Sequence, residues 1–317
     1  MKIFIHLPTW LGDAVMASAA LYGIKKYFKD AEFILYGSFA STQLFKNFSH
    51  FKTIIEDRKK RYKQALKLRK EFKIDLAISF RSSLSSKIIL NILRAKKRYF
   101  FNKRKFKEEH QVLKYLYFIE NALNFKIHSK ELLLPIKRRF THPLTLKNGK
   151  KILGINPGAT FGSAKRWDAS YFAEVAKEFS KSHEILIFGA GHGEQILCDE
   201  IEKLLKNSNI KAKNLCNKTS IQTLCQNIAL CDLFITNDSG PMHIAAAYKI
   251  KTIAIFGPTK FTQTSPWKNP NAKLVHLNLD CMPCMQKICP LKHHKCMKDL
   301  KPELVLKNFH QKFSSTI

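Results

Sequence analysis

No apolar run in this 317-residue chain approaches the roughly eighteen residues needed to cross a bilayer, and no basic segment followed by a cleavable apolar stretch opens it. The expectation is a cytoplasmic protein. Zinc-finger, RRM, KH and basic-zipper signatures are missing, which counts against a nucleic-acid binder, and no short-period repeat points to a solenoid. Acidic residues are scarce: 24 Asp and Glu face 55 Lys and Arg, a formal net charge of +31. Such a field favours anionic partners, whether nucleic acid, anionic lipid or phosphorylated substrate, without choosing among them. The cations are spread through helices and turns, as in KKRYKQALKLRK and RAKKRYFFNKRKFK, and the Lys-, Ile-, Phe- and Asn-rich composition is of the kind that genome bias can produce, the plainer reading of part of the charge.

What is present is a regular alternation. From residue 1 to about 125, strand-like runs (KIFIHL, AEFILYG, FKTIIE, IDLAISF, KKRYFF) alternate with helical segments such as Gly12 to Phe28 and Tyr62 to Phe72. That pattern predicts a parallel sheet with helices on both faces. Lys126 to Lys150 loses periodicity, and Pro135, Pro143, Asn148 and Gly149 break regular structure, so the linker is expected near 140–150. A second series follows: KILGINPGA, a helix from about Asp168 to Ser180, EILIFGA, a helix near Glu194 to Lys206, AKNLC, a helix near Ile221 to Ala229, DLFIT and TIAIFG. The fold class is α/β, with two Rossmann-like doubly wound domains, 1–145 and 146–300, facing across a cleft between the carboxyl ends of their strands. A short last helix within 301–317, after Pro302, is placed to pack back across the domains.

Loops at strand ends carry the chemistry. LPTWLGDAVMAS joins the first strand to a helix through the bulky turn residue Trp10 and presents Gly12 and Asp13 at the helix entry. Asp13 either points into a cleft or caps the helix. DLFIT runs into NDSGPMHIAAA, with Asp238 before a turn at Gly240 and Pro241 suited to the first helical position. Free N–H groups and partial positive charge make that helix end a natural seat for a diphosphate, with Ser239 and His243 as side-chain donors; a capped structural helix is the plainer alternative. GINPGA leads into TFGSAKRW, which brings Thr160, Ser163, Lys165 and Arg166 to another strand end. Lys165 is suited to neutralise charge building on a departing phosphate. ILIFGAGHGE ends in glycines and Glu194, an acceptor for ribose hydroxyls, but fits G-x-G-x-x-G poorly, which disfavours a dinucleotide dehydrogenase.

LPTWLGDAVMAS, NPGATFGSAKRW, TNDSGPMHIAAA and FGPT, in this order, resemble the ADP-heptose:lipopolysaccharide heptosyltransferases (glycosyltransferase family 9) over nearly the whole chain. The Trp10-Leu11-Gly12-Asp13 loop is most like the heptosyltransferase II branch, since the type I branch usually carries Ser and Leu before its Gly-Asp pair. The resemblance implies a GT-B fold, with the acceptor on the N-terminal domain and the ADP-sugar on the C-terminal one. It implies an inverting transfer of L-glycero-D-manno-heptose from ADP-heptose to the first heptose of the Kdo-lipid A inner core, with no cofactor or metal required. The lack of a D-x-D pair agrees with that. Asp13 matches the general base, and Thr160 and Lys165 match the diphosphate contacts. Asp238, Ser239, Gly240 and His243 match the loop and helix end that hold ADP and heptose, Thr219 in NKTS the adenine pocket, and Glu194 the ribose contact. His110 and Tyr115 in HQVLKYL match a pattern near the acceptor side, a packed or solvated histidine being the plain alternative. Basic residues of the N-terminal domain then steer the enzyme to an anionic cytoplasmic membrane surface holding the phosphorylated acceptor. Type I transfer to Kdo, and a basic nucleic-acid-binding protein without transferase activity, remain the alternatives.

Of eight cysteines, Cys198, Cys216, Cys225 and Cys231 stand singly in apolar contexts and read as buried packing residues. Cys281, Cys284, Cys289 and Cys296 form C-x2-C-x4-C-x6-C, with His293 and His294 in the last interval. Four soft ligands in one loop suit a structural zinc, although the middle spacing is shorter than in common zinc modules; reduced thiols packing a loop are the alternative.

Overall fold

The computed structural model describes residues 1–135 and 149–313, so nearly all of the linker expected near 140–150 lies outside the described residues. The chain divides into two compact units, Met1–Ile136 and Lys137–Ile317.

The first unit runs β1 (Lys2–His6), α1 (Leu11–Tyr27), β2 (Glu32–Gly37), α2 (Phe39–Leu44) and β3 (Phe51–Ile55). It continues through α3 (Arg61–Glu71), β4 (Leu76–Ser79), α4 (Leu84–Leu93), β5 (Lys97–Phe100) and α5 (Gln111–Leu123). Its five strands are parallel, in the order β3-β2-β1-β4-β5. The central strands are continuous apolar runs because helices cover both faces, and Ile3, Phe4, Ile5, Ala77 and Ile78 are wholly buried. Ser38 and Ser83 start α2 and α4 by accepting from the Ser41 and Ser86 N–H groups, each satisfying one orphan donor of its helix.

The second unit runs β6 (Lys151–Asn156), a 3-10 turn (Ser163–Lys165), α6 (Ala169–Phe179), β7 (His183–Ile187), α7 (His192–Lys206) and β8 (Ala212–Asn214). Then come α8 (Ile221–Ala229), β9 (Leu233–Asn237), α9 (Gly240–Ala247), β10 (Lys251–Ile255) and α10 (Phe261–Thr264). It closes with β11 (Ala272–Val275), α11 (Lys295–Lys298) and α12 (Pro302–Phe313). The six parallel strands are ordered β11-β10-β9-β6-β7-β8, which is the Rossmann order read from its far edge. Trp167 is buried at the core of this unit and its indole N–H donates to the Leu300 carbonyl at 2.7 Å. Within the unit, α12 packs on α6 and β11, with the Phe309 and Phe179 rings 4.8 Å apart. No described helix is long and apolar enough to cross a membrane.

Each sheet reverses its strand order once, between β1 and β4 in the first unit and between β6 and β9 in the second. Loops leaving the carboxyl ends of such neighbours run to opposite faces, and the crevice between them is where open α/β sheets bind ligands. Both candidate half-sites lie at these reversals.

Candidate active site

At the first reversal lies a pocket of about 520 Å³. Its wall takes Trp10 and Asp13 from the β1 side, Glu56, Arg58 and Arg61 after β3, Arg81 and Ser83 after β4, Lys103 after β5, and Gln111 and Tyr115 from α5. Trp10 holds the N-cap position of α1 and Asp13 is the third helical residue, so Asp13 is not the cap that its sequence position allowed. Its carboxylate stands in the pocket wall, in the first turn, where the helix dipole favours negative charge. Gly12 is buried within α1 and does not line the pocket.

Charge in this pocket is organised around Glu56, whose side chain is only 1% exposed. Arg81 donates from Nη1 to Glu56 Oε2 at 2.7 Å and from Nε to the Leu7 carbonyl at 2.6 Å. Arg61 Nε stands 3.8 Å from Glu56 Oε1, and His6 Nε2 stands 3.9 Å from Oε2. Burial alone would raise the Glu56 pKa, but His6 and the Arg81 charge outweigh it and hold the carboxyl at about 2. Burial drives His6 down to about 4 despite Glu56, so its imidazole is neutral at ordinary pH. The four cations Arg58, Arg61, Arg81 and Lys103 thus face only Asp13 and Glu56, leaving the pocket net positive. Arg58 and Lys103 are exposed and form no ion pair among the described residues.

At the start of α5, His110 is buried. It is the N-cap, and its Nδ1 accepts from the Val112 N–H at 3.2 Å. Tyr115, in the next turn, is the residue that reaches the pocket, where its hydroxyl meets both Asp13 and Gln111.

The second reversal gathers Lys165, Asp238, Ser239 and Gly240. Lys165 Nζ donates to Asp238 Oδ2 at 2.5 Å, with side chains 12% and 4% exposed. Thr259, in the FGPT stretch, donates to the same oxygen at 2.7 Å, and the Lys165 ammonium lies 4.8 Å from the centre of the Phe161 ring. Ser239 occupies the N-cap of α9, yet its hydroxyl makes no capping bond and instead meets Asn156 Nδ2 at 3.2 Å and Thr236 Oγ1 at 3.1 Å. The first turn of α9, opened by Gly240 and Pro241, therefore keeps N–H groups that this side chain does not satisfy, and the capped-helix alternative does not describe it. His243 is buried within the helix. Asn237 ties this end to the loop after β6, donating to the Pro157 carbonyl at 2.7 Å and accepting from the Trp167 N–H at 3.3 Å.

Thr160 and Ser163 are exposed on that loop. Glu194, in the first turn of α7, packs against it so closely that a Cβ at Gly158 would sit 2.2 Å from the carboxyl carbon. Burial raises the Glu194 pKa, opposed by the Ala190 N–H donated to Oε2 at 2.9 Å and by Arg166. Thr219 is half-buried in the turn before α8, with no hydrogen bond to the other candidates among the described residues. Its neighbour Asn217 reaches the start of α7 instead, accepting from the Gly191 N–H at 2.7 Å.

Cys198, Cys216, Cys225 and Cys231 are buried thiols, as expected. Cys281, Cys284, Cys289 and Cys296 line one small cavity of about 20 Å³ together with Ala164 and Pro258. Among the described residues no group of three or more His, Cys, Asp or Glu is arranged to hold a metal ion. The same segment contacts the lysine loop: Ala164 N–H donates to the Lys287 carbonyl at 3.1 Å, and His294 Nε2 meets the Ala164 carbonyl at 3.0 Å.

Two doubly wound units, one with a carboxylate in a cationic pocket and one with a lysine beside an open helix N-terminus, make up a glycosyltransferase of the GT-B class. Residues 58–295 match glycosyltransferase family 9 (heptosyltransferase). The lipooligosaccharide heptosyltransferase 2 of Campylobacter jejuni serotype O:2 is 75% identical over 307 residues, 96% of each chain. The solved structure of E. coli ADP-heptose LPS heptosyltransferase II covers 99% of both chains with a TM-score of 0.79 at 21% identity. A family 9 glycosyltransferase from Veillonella parvula covers 99% of this chain and 98% of its own, with a TM-score of 0.83 at 19% identity. The chain belongs to glycosyltransferase family 9. Its activity is heptose transfer in building the inner core of lipooligosaccharide or lipopolysaccharide, and the type II reading is favoured over type I transfer and over nucleic-acid binding.

Proposed function

We propose that ADP-heptose is the donor, that the first heptose of Kdo-lipid A is the acceptor, and that Asp13 is the base. The observation that carries this reading is the position of the Asp13 carboxylate in a pocket wall otherwise rich in cations. A phosphorylated, carboxylated glycolipid is the kind of acceptor such a wall attracts, with Arg58, Arg61 and Lys103 meeting its anionic groups.

The acceptor hydroxyl oxygen attacks the anomeric carbon on the face opposite the diphosphate. A carbon–oxygen bond forms there as the bond to the diphosphate oxygen breaks; the electron pair leaves with ADP and the hydroxyl proton passes to Asp13. Inversion needs only one such base. Charge then grows on the leaving phosphate, where Lys165 and the first N–H groups of α9 receive it. Asp238 and Thr259 fix the ammonium before the donor arrives, and the diphosphate competes with Asp238 for it. Thr160 and Ser163 add hydroxyl donors, Ser239, Gly240 and His243 hold ADP and heptose, Glu194 takes the ribose and Thr219 the adenine. No cofactor takes part in this reading.

The enzyme works as a peripheral protein on the cytoplasmic face of an anionic membrane. Its net charge of +31 supports the attraction. Transfer from ADP-heptose to purified Kdo-lipid A carrying no heptose or one heptose tests the proposal. Activity on the singly substituted acceptor alone is expected; activity on the unsubstituted one alone selects the type I reaction, and none on either removes the donor assignment.

A further inference from the structure

Tyr115 is the buried ionisable side chain nearest the reacting groups for which transfer itself has no use. Its residue is 4% exposed and its ring is wedged between Phe80, at 5.4 Å and 80°, and Phe101, at 5.0 Å. A phenol held so deep needs hydrogen-bond partners, and it has two. Asp13 and Gln111 are the side chains its hydroxyl faces: the interaction with Asp13 raises its pKa and that with Gln111 lowers it, the signs of a phenol that donates to the carboxylate and accepts from the amide. Gln111 is the first residue of α5 and Tyr115 lies one turn on, so both project from one helix face, and α5 packs along α1, which carries Asp13. All three line the same pocket.

We propose that Tyr115 is a positioning residue for the base: its hydroxyl, oriented by Gln111, occupies one Asp13 oxygen and leaves the other to take the acceptor proton. This rests on the reading of Asp13 as base. The ring packs between two phenylalanines, which places the hydroxyl at the pocket wall. Burial and the Asp13 charge push the Tyr115 pKa well above its usual value, so it stays a donor wherever the enzyme works. A donor to a carboxylate also favours the ionised form that a base requires.

Other charged groups surround the pair. From the loops come Arg81, Arg58, Lys103 and Glu56, with His6 behind Glu56; Arg61 opens α3, and α5 carries Lys114 after its N-cap His110. Glu56 and His6 titrate at about 2 and about 4 and arginine keeps its charge, so the readout is the displacement of the acid limb between the variant and the unaltered enzyme, in which these groups are common to both.

Tyr115→Phe removes one oxygen and leaves the ring packing intact. The expected result is a fall in kcat of roughly ten- to a hundredfold, KM for ADP-heptose within about twofold, and an acid limb of kcat/KM moved to higher pH by about one unit. Gln111→Leu should move the limb in the same direction by less, and it supplies the same readout if Tyr115→Phe does not fold. An acid limb unmoved in the folded variants overturns the proposal, because a purely structural phenol would lower activity without shifting it. Asp13→Asn separates the two claims. If it still transfers heptose, the base reading falls and takes this proposal with it. If it is inactive while the Tyr115→Phe limb stays put, only the positioning role is lost.

Discussion

The two strand-order reversals hold their charge in opposite ways. In the first unit four cations face two carboxylates, and Arg58 and Lys103 have no acidic partner among the described residues. In the second unit the key cation is already engaged, with Lys165 at 2.5 Å from Asp238 and Thr259 on the same carboxylate oxygen. Surplus positive charge suits capture of an anion from solution or from a membrane, where reach and steering matter. A paired, nearly buried lysine suits a step in which charge appears at one place and must be met without rearrangement. One site is built to attract and the other to respond.

Four changes sharpen or break that contrast. The largest effect is expected from Lys165→Ala, which should lower kcat/KM for ADP-heptose by roughly a hundredfold and leave the acceptor KM nearly unchanged. Equal losses on both substrates would erase the division between the sites. Next, the paired change Arg58→Ala and Lys103→Ala should raise the acceptor KM about tenfold and flatten its salt dependence, because exposed cations act through a screened field. Steady-state kinetics at two salt concentrations distinguish this from a folding defect. Smaller again is Gly158→Ala: its Cβ would meet the Glu194 carboxyl carbon at 2.2 Å, so the flexible carboxylate must swing away. A few-fold, roughly threefold, rise in the ADP-heptose KM is expected if Glu194 holds the ribose, and no change removes it from that contact.

The remaining effect falls on stability in acid, not on turnover, and belongs to the first unit. His6 titrates at about 4 when folded and near its ordinary 6.5 when unfolded, so the unfolded chain takes up the proton first. Its contribution is full above pH 6.5 and is lost as pH falls toward 4, on the order of 3 kcal/mol in all. Chemical denaturation across that window should show the slope, and His6→Gln should flatten it. Glu56, held at about 2, adds its own loss only below its unfolded value of 4.5.

Much of this architecture is legible in sequence, for a physical reason. Strands covered on both faces must be apolar along their whole length, so KIFIH and LFITN announce themselves, and helices such as Ile221–Ala229 follow with their serine caps. The exception is β11, whose AKLV run lies half exposed at a sheet edge and lacks that signature. The donor-side residues were also legible, because the loops after β6 and β9 carry compact motifs. Asn156 and Asn237 lie inside those motifs and Thr259 in the FGPT stretch after β10, and nothing local marks them, because their roles are to tie one loop to another.

The acceptor side was much less readable. Its cations come from loops after β3, β4 and β5, and only the order β3-β2-β1-β4-β5 brings them to one wall. In a chain with 55 Lys and Arg, nothing local marks Arg58 or Lys103 from the rest. The Lys165 to Asp238 pair spans 73 positions and is equally invisible before folding. The cysteine cluster is a different case. Its spacing drew attention to a metal, and hydrogen bonds at Lys287 and His294 in the same segment connect that segment to the loop that carries Lys165.

The most direct test of the account is Asp13→Asn, assayed for ADP-heptose binding by calorimetry and for heptose transfer on the same preparation. The expected result, if the base lies with the acceptor and the donor is gripped elsewhere, is donor affinity within about twofold of the unaltered enzyme and transfer reduced by at least about a thousandfold. Near-normal transfer, or loss of ADP-heptose binding, would contradict it.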